Sequence, residues 1–168
     1  MSHVTRKPRA VILTISDSAF RGEREDLSGP AAQHELRQLG CDVLEKLIVP
    51  DELGQIRDQL ILWSERGDID LIVTTGGTGL SPRDITPEAT ATVLEREVPG
   101  LAELMRHEGM KTSPRSVLSR AKVGIRSKTL IVNLPGSVKG VTESLNALTP
   151  VLSHALEVLS GASSRCGD

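Results

Sequence analysis

Aromatic residues are almost absent from this chain of 168 residues, which contains one Phe, one Trp and no Tyr. Proteins that bind single-stranded nucleic acid stack the bases on aromatic side chains, so that class of surface is not expected. The 22 acidic and 20 basic residues are interspersed and give a net charge of −2, without a basic face for nucleic acid or membranes. The core must be aliphatic, and neither nucleic acid nor a membrane is an expected partner.

Cysteines and long apolar runs are also scarce. The two cysteines, Cys41 and Cys166, form neither a disulfide framework nor the spacing of a metal site. The apolar run at residues 10–15, which follows the basic N-terminus, is too short for a signal peptide or a membrane span. We therefore expect a protein of a reducing cytoplasm.

The most informative stretch is residues 71–88, where a short apolar run is followed by a glycine-rich loop and a helix-start signal. The apolar run is rich in β-branched residues and suits a strand buried on both faces. Gly76, Gly77 and Gly79 leave no Cβ to block a ligand, and Thr86 is predicted to cap the following helix. A strand, a bare loop and a helix start place backbone N–H groups around an anion or a polar ring.

Two structural alternatives remain open for this stretch. The glycine loop could be only a tight connection, and the Asp84 carboxylate could pair with Arg83 or cap a turn instead of binding a ligand. No lysine follows the glycines and the G-x-G-x-x-G spacing is absent, so neither a Walker-type loop nor a dinucleotide fold is supported.

Strand patterns alternate with amphipathic helical patterns over residues 9–160, between a polar arm at residues 1–8 and a tail at residues 161–168. This alternation predicts a single α/β domain of three layers, doubly wound around a mostly parallel sheet. A helix is predicted from Thr86 to about Arg96. Residues 117–125 are weakly strand-like and are predicted to turn back into a stronger strand at residues 129–133. Pro150 removes a backbone donor from the last helix and is expected to kink or split it.

Ligands of such sheets bind outside the carboxyl ends of the strands, where the strand order reverses. Four loops at these ends are rich in Asp, Ser, Thr and Gly, namely residues 16–18, 50–52, 75–84 and 133–137. Carboxylates there can hold Mg²⁺ together with substrate phosphates, or accept paired hydrogen bonds from a pterin or guanine edge. No Cys–His or Ser–His spacing indicates a covalent nucleophile. The residues alone predict an α/β domain that handles a nucleotide or another phosphate.

The same residues resemble the signature of the molybdopterin adenylyltransferases, a family that includes bacterial molybdenum-cofactor enzymes and the G domain of gephyrin. The resemblance is strongest at residues 74–79 and 82–90 and extends over most of residues 9–160. The further matching segments are residues 16–18, 25–29, 49–52, 97–100, 110–120, 124–126 and 133–137.

This resemblance implies a reaction in which AMP is transferred from Mg-ATP to the terminal phosphate of molybdopterin and pyrophosphate is released. It assigns catalytic roles to Asp51 and Asp84, and leaves open which acid binds Mg²⁺. The residues that match the loops around the pterin and phosphate are Gly76, Gly77, Thr78, Gly79, Pro135, Gly136 and Ser137. The residues that match the loops near the nucleotide are Ser16, Asp17, Ser28 and Gly29. The cations expected to offset repulsion between the substrates are Arg83, Arg120, Arg126 and Lys139.

The resemblance also implies a homotrimer, with a hexamer as the variant, and a molybdate-insertion protein that receives the product. The family sheet includes one antiparallel strand, which agrees with the hairpin predicted from residues 117–125. Two alternatives stay open: a non-catalytic molybdopterin-binding or scaffold relative, and the similar domain that inserts the metal. The charged loop at residues 21–26 is predicted to be a mobile lid over the ligand.

Overall fold

The computed structural model describes residues 6–162, which form one six-stranded sheet with helices on both faces. Residues 1–5 of the predicted arm, and residues 163–168 of the predicted tail together with Cys166, lie outside this range. The strands are β1 (Arg9–Ile15), β2 (Asp42–Val49), β3 (Leu71–Thr75), β4 (Arg96–Glu97), β5 (Val123–Arg126) and β6 (Thr129–Leu134). The helices are α1 (Asp17–Phe20), α2 (Ser28–Gln38), α3 (Leu53–Glu65), α4 (Thr86–Ala91), α5 (Pro99–Met110), the 3₁₀ helix η1 (Pro114–Leu118) and α6 (Val138–Ser160).

The sheet separates two aliphatic cores, as the three-layer prediction requires. Side chains alternate along β1, so that Ala10 and Ile12 join one core while Val11 and Leu13 join the other. Helices α2, α5 and α6 cover the first core, and α3 and α4 cover the second. Burial on both faces explains why β1 reads as an uninterrupted apolar run.

The strand order is β2-β1-β3-β6-β5-β4. Strands β2, β1, β3 and β6 are parallel, β5 is antiparallel to β6, and β4 is antiparallel to β5. Strand β4 therefore runs with β6, and β5 is the one strand of the described sheet that runs the other way. The prediction of a mostly parallel sheet with one antiparallel strand is confirmed.

Three local predictions need correction. Residues 117 and 118, predicted as the start of a strand, belong to η1, because Pro114 fixes its φ and the Ser113 hydroxyl caps the turn by accepting from the Arg115 N–H. Helix α4 ends at Ala91, short of the predicted end near Arg96, and the residues beyond it pair with β5 as β4. Long-range pairing thus overrides the local helical pattern.

The remaining correction concerns Pro150, which does not split the last helix. Helix α6 continues from Val138 to Ser160 and ends at Gly161, whose φ of +76° places it in the left-handed region. Leu145, Leu148 and Leu152 on both sides of the proline are buried in the same core, which holds the two halves of the helix together. Within residues 6–162, no helix combines the length and apolar character that crossing a membrane requires.

Candidate functional site

The site lies at the carboxyl ends of β1, β3 and β6. The chain leaves β1 to form β2 on one side and later crosses to β3 on the other, so the strand order reverses between β1 and β3. A reversal of this kind opens a crevice between the two loops that follow the strands. The loop after β1 begins at Ser16 and the loop after β3 begins at Gly76, and both lie at this crevice.

The glycine loop after β3 depends on two positive φ angles. Gly76 has a φ of +94°, and a Cβ there would stand 2.3 Å from the Ile15 carbonyl oxygen. Gly77 has a φ of +68°, and its Cβ would stand 2.2 Å from the Thr86 hydroxyl oxygen. Only glycine fits both positions without strain. The conformation of the loop therefore requires glycine at both positions.

Thr86 closes this loop instead of capping α4. Its hydroxyl donates to the Gly76 carbonyl at 2.9 Å, and its N–H donates to the Gly77 carbonyl at 3.1 Å. Helix α4 begins at Thr86 with Ile85 as its N-cap residue and has no side-chain cap. The predicted N-cap role of Thr86 was wrong, because its hydroxyl is used to hold the glycine loop.

Two clefts flank the glycine loop. The acidic cleft has a volume of about 390 Å³ and is lined by the carboxylates of Glu25, Asp26, Asp51 and Asp84. The serine cleft has a volume of about 370 Å³ and is lined by Ser113, Ser116, Ser119 and Ser137, with Arg115, Lys139 and Glu143. Ser137 lines both clefts, so the two spaces meet at the start of α6. Each cleft has the volume of a small-molecule site.

The structure brings most of the predicted site residues to these clefts. The acidic cleft contains Asp51 and Asp84 from the predicted catalytic pair, and also Ser16, Ser28, Gly76, Gly77, Gly136 and Ser137. The serine cleft contains Thr78, Gly79, Pro135 and Ser137. Asp17 and Gly29, which were predicted near the nucleotide, line neither cleft. They lie behind the wall of the acidic cleft, where they contact Asp51 and Asp26.

Asp17 and Asp51 hold each other through reciprocal hydrogen bonds. The Asp51 N–H donates to Asp17 Oδ1 at 3.0 Å, and the Asp17 N–H donates to Asp51 Oδ2 at 3.0 Å. The Arg83 guanidinium donates to both oxygens of Asp17 and to Glu52. Arg83 is therefore the partner of Asp17, and the alternative in which it pairs with Asp84 is excluded. The arrangement fixes Asp51 at the mouth of the acidic cleft.

The pKa values of the two carboxyl groups are shifted in opposite directions. Burial raises the pKa of the Asp51 carboxyl above its ordinary value, and the neighbouring carboxylates of Asp17 and Asp84 raise it further. Burial also acts to raise the pKa of Asp17, but the hydrogen bond from the Asp51 N–H and the Arg83 guanidinium outweigh it and lower that pKa. Opposite shifts in adjacent acids are typical of a functional site.

Asp84 combines the two roles that the sequence left open. One carboxylate oxygen, Oδ2, accepts a hydrogen bond from the Ser81 N–H at 2.9 Å and so caps a turn. The other oxygen, Oδ1, has no hydrogen-bond partner within residues 6–162, and the side chain lines the acidic cleft. Asp51 Oδ1 is in the same situation, because only Oδ2 of that carboxylate accepts a hydrogen bond from the described chain. Each acid thus offers one oxygen to a ligand.

These two carboxylates fit a cation that is bound together with substrate. Over residues 6–162 there is no group of three or more His, Cys, Asp and Glu side chains placed to hold a metal ion. Mg²⁺ is commonly bound through one or two carboxylates, with water and substrate phosphates completing its shell. Asp51 and Asp84 supply that incomplete set, and the phosphates of a nucleotide would supply the rest.

The sequence reasoning missed Asp26, which ties the loop of residues 21–27 to the sheet. Its carboxylate accepts from the Thr14 hydroxyl at 2.7 Å, the Ser28 hydroxyl at 3.2 Å and the Gly29 N–H at 2.9 Å. Ser28 in turn bonds to the Thr75 hydroxyl at 2.7 Å. The position of an Asp three residues before an N–H at a helix start was the signal that could have identified this capping contact.

Three of the four predicted cations form hydrogen bonds or ion pairs with groups of the protein itself. Arg83 is bound by Asp17 and Glu52, and Arg126 donates to the Val93 carbonyl and to Glu65. Arg120 donates to the carbonyls of Gly79 and Asp84 and to the Glu88 carboxylate. The expectation that these arginines are free for substrate was wrong, because they hold the loops in place. Lys139 lines the serine cleft, where its Nζ lies 3.8 Å from Glu143 Oε1, so its role toward the substrates stays a prediction.

Comparisons with known proteins agree with this geometry. A family described as "Probable molybdopterin binding domain" matches residues 11–154. A Helicobacter pylori protein named Molybdopterin adenylyltransferase is 44% identical over 152 residues, which cover 89% of this chain and 86% of the relative. The structure of the molybdopterin biosynthesis enzyme MoaB from Thermus thermophilus is 53% identical, with a TM-score of 0.86, and the match covers 91% of this chain and 96% of that one. The Mog protein of Mycobacterium ulcerans is 41% identical, also with a TM-score of 0.86, over 94% of this chain and 99% of that one. The chain therefore belongs to the family of molybdopterin-binding domains of molybdenum-cofactor biosynthesis.

Proposed function

We propose that this protein is a molybdopterin adenylyltransferase that acts in molybdenum-cofactor biosynthesis. It transfers AMP from Mg-ATP to the terminal phosphate of molybdopterin and releases pyrophosphate, before molybdate is inserted. The observation that carries the proposal is the pair of clefts on either side of the glycine loop, with Asp51 and Asp84 in one of them. The 44% identity to a protein named Molybdopterin adenylyltransferase supports the same activity.

The two clefts give the two substrates separate places. ATP occupies the acidic cleft, where Ser16 and Ser28 lie with the two catalytic acids. Molybdopterin occupies the serine cleft, where hydroxyl groups, Lys139 and Arg115 suit its phosphate and polar ring. The Glu143 carboxylate in that cleft accepts from the Thr112 hydroxyl through Oε1 at 2.8 Å, and its Oε2 can accept a hydrogen bond from the amidine-like edge of a pterin.

The phosphates of the two substrates meet at the N-terminus of α6. Val138 lines the acidic cleft, Lys139 and Gly140 line the serine cleft, and Ser137 lines both. The Ser137 hydroxyl accepts from the Gly140 N–H at 3.0 Å, which caps the helix. The unpaired N–H groups of the first turn favour anions there. The attacking phosphate of molybdopterin and the α-phosphate of ATP are both placed at this helix start.

Positioning and electrostatics are sufficient for this transfer, and no covalent enzyme intermediate is needed. The Oδ1 atoms of Asp51 and Asp84 would hold Mg²⁺, which when bound neutralises charge on the phosphates of the nucleotide. Arg83 and Asp17 keep the Asp51 carboxylate in place. Arg120 keeps the Gly79 and Asp84 carbonyls in place, so that the glycine loop holds the substrates in a fixed relation.

A single-turnover assay with purified protein, molybdopterin, ATP and Mg²⁺ tests the proposal. We expect adenylylated molybdopterin and pyrophosphate in equal amounts, and no product without Mg²⁺. Molybdopterin binding without any product would contradict the enzyme proposal and would favour the alternative of a non-catalytic binding or scaffold relative.

We further propose that residues 9–160 form the molybdopterin-binding domain. The protein assembles as a cytoplasmic homotrimer, with a hexamer as the alternative. It delivers its product to a molybdate-insertion protein. Exposed apolar side chains support the assembly: Leu80 and Leu118 are 64% and 49% exposed. They lie on neighbouring segments, because the Arg120 N–H donates to the Thr78 carbonyl. Light scattering coupled to size exclusion gives the mass directly, and a monomer would contradict the proposal.

The loop of residues 21–26 remains a proposed lid over the acidic cleft. Arg24 and Glu25 line that cleft, and the Asp26 carboxylate anchors the end of the loop to Thr14. Limited proteolysis within this loop should slow when Mg-ATP is added. Equal rates of cleavage with and without Mg-ATP would contradict a lid.

A further inference from the structure

The negative charge of the acidic cleft opposes the binding of a nucleotide. Four carboxylates line it, from Glu25, Asp26, Asp51 and Asp84. The polyphosphate of ATP is itself an anion, so its binding requires cations or N–H donors that offset the repulsion. Mg²⁺ held by Asp51 and Asp84 would provide part of the compensation. The N–H groups at the start of α6 provide another part, and a cationic side chain in the cleft would add to both.

The nearby arginines do not supply it. Arg83 donates to Asp17 and Glu52, and Arg120 donates to two loop carbonyls and to Glu88. Moving either guanidinium onto a phosphate would release the loops that form the cleft. Lys139 lies in the serine cleft. Among the described residues that line the acidic cleft, Arg24 is the only Lys or Arg.

The side chain of Arg24 is available for binding. It is exposed, and no hydrogen bond or ion pair joins it to another residue in the range 6–162. Arg21 in the same loop is different, because its Nε donates to Glu23 Oε1 at 2.9 Å and its Nη2 to Glu23 Oε2 at 3.0 Å. Arg21 is therefore paired on the surface, whereas Arg24, three positions later, lines the cleft without a partner among residues 6–162.

The loop is attached to the rest of the protein on both sides of Arg24. The Glu23 N–H donates to the Ser18 carbonyl at 2.9 Å, at the end of α1. Two residues after Arg24, the Asp26 carboxylate accepts from Thr14 and from the Gly29 N–H. These attachments keep Arg24 at the edge of the acidic cleft.

We propose that Arg24 binds the polyphosphate of the nucleotide in the acidic cleft. The planar guanidinium presents paired N–H donors that match two phosphate oxygens. The inference rests on the proposed function only in taking a nucleotide as the occupant of this cleft. Arg24 forms no covalent bond in the reaction; its charge replaces part of the hydration that the phosphates lose on binding.

Calorimetric binding of Mg-pyrophosphate and Mg-ATP tests this role without needing turnover. We expect Arg24→Ala to weaken both by roughly tenfold to a hundredfold, which is the range of a charge-assisted hydrogen bond. Arg24→Lys keeps the charge without the paired donors and should fall between Arg24→Ala and the wild type. Arg21→Ala is the matched control, and it should change both affinities by less than about twofold because it removes only a surface ion pair.

Kinetics add a second readout. Arg24→Ala should raise the KM for ATP while the KM for molybdopterin stays at the wild-type value, because the two substrates occupy different clefts. Since Arg24 is exposed and makes no described contact, the thermal unfolding midpoint of both Arg24 variants should match that of the wild type.

The outcomes separate this inference from the proposed function. If Arg24→Ala binds Mg-pyrophosphate and Mg-ATP as tightly as the wild type, or weakens only molybdopterin, the assignment of Arg24 is overturned. If the wild type binds Mg-ATP but forms no adenylylated product, the proposed activity fails while the Arg24 comparison still decides the binding role. A wild type that binds neither Mg-ATP nor Mg-pyrophosphate overturns both.

Discussion

The two clefts beside the glycine loop are similar in volume and opposite in chemistry. The acidic cleft gathers carboxylates from segments far apart in sequence, with Arg24 as its cation. The serine cleft takes three of its hydroxyl groups from the segment around η1 and the others from Thr78 and Ser137, with Arg115 and Lys139 as its cations. A carboxylate pair suits a metal-bound nucleotide, whereas hydroxyl groups and cations suit a phosphorylated ring compound. On the proposed function, the two substrates occupy separate clefts that meet at Ser137.

The largest effect is expected at the two acids of the acidic cleft. Asp84→Asn and Asp51→Asn keep the shape of the side chain but remove its charge, so Mg-ATP loses its cation site and turnover should fall roughly 10²–10³-fold. Single-turnover product formation measures this, and urea unfolding checks that each variant is folded. Asp58→Asn on the exposed face of α3 is the control and should leave turnover unchanged. Full activity in both cleft variants would contradict the assignment.

The glycine loop forms a wall of both clefts, so a substitution that distorts it should weaken the binding of both substrates. Gly77→Ala places a Cβ 2.2 Å from the Thr86 hydroxyl oxygen at a φ of +68°, and should cost about 1–3 kcal/mol of unfolding free energy and weaken both ligands. Gly54→Ala in α3 meets no atom within 4 Å and is the matched control. Its unfolding free energy should stay level or rise, because alanine favours a helix. Loss of only one ligand with Gly77→Ala would contradict a shared wall.

A cation of the serine cleft should act on one substrate alone. Lys139→Ala removes an exposed charge from that cleft and should weaken molybdopterin binding by roughly fivefold, while Mg-ATP binding is unchanged. Titration of each ligand by fluorescence or calorimetry measures the two affinities separately. The result should be the reverse of that for Arg24→Ala, and an equal loss of both ligands would show that the clefts are not independent.

The smallest effect concerns the contact that supports Asp51 from behind. Burial acts to raise the pKa of Asp17, but the Asp51 N–H and Arg83 together lower it in the folded protein. This carboxylate therefore stabilises the fold above the ordinary Asp pKa of about 3.9, and the contribution is lost as the pH falls through the folded-state pKa.

Urea unfolding measures the size of this contribution. Asp17→Asn should lower the unfolding free energy at pH 7 by at most about 1 kcal/mol, because the Arg83 partner is exposed, and by less at pH 3. A difference between wild type and variant that is unchanged between the two pH values would contradict the charge-based explanation.

The parts of the fold that sequence predicts well are those buried on both faces. Strands β1, β3 and β6 read as apolar runs because the sheet is covered on both sides, and their ends were predicted within two residues. Strand β4 was missed because it has two residues and exists only through pairing with β5. Its formation depends on contacts that no local pattern contains.

The residues of the site also fall into a group that the sequence predicts and a group that it does not. The glycines and Asp84 belong to one continuous segment, so their proximity followed from the chain itself. The contact of Arg83 with Asp17 joins residues 66 positions apart, and that of Arg120 with Gly79 joins residues 41 apart. Which arginines hold the loops and which remains free for a ligand depends on these long-range contacts. For that reason the sequence favoured Arg83 and Arg120 as substrate cations and overlooked Arg24.

A crystal structure with molybdopterin and α,β-methylene-ATP, in which the bond to be broken is blocked, tests the separation of substrates most directly. The account predicts the nucleotide in the acidic cleft, molybdopterin in the serine cleft, and their reacting phosphates facing each other at Ser137. A nucleotide in the serine cleft, or both ligands on the same side of the glycine loop, would contradict it.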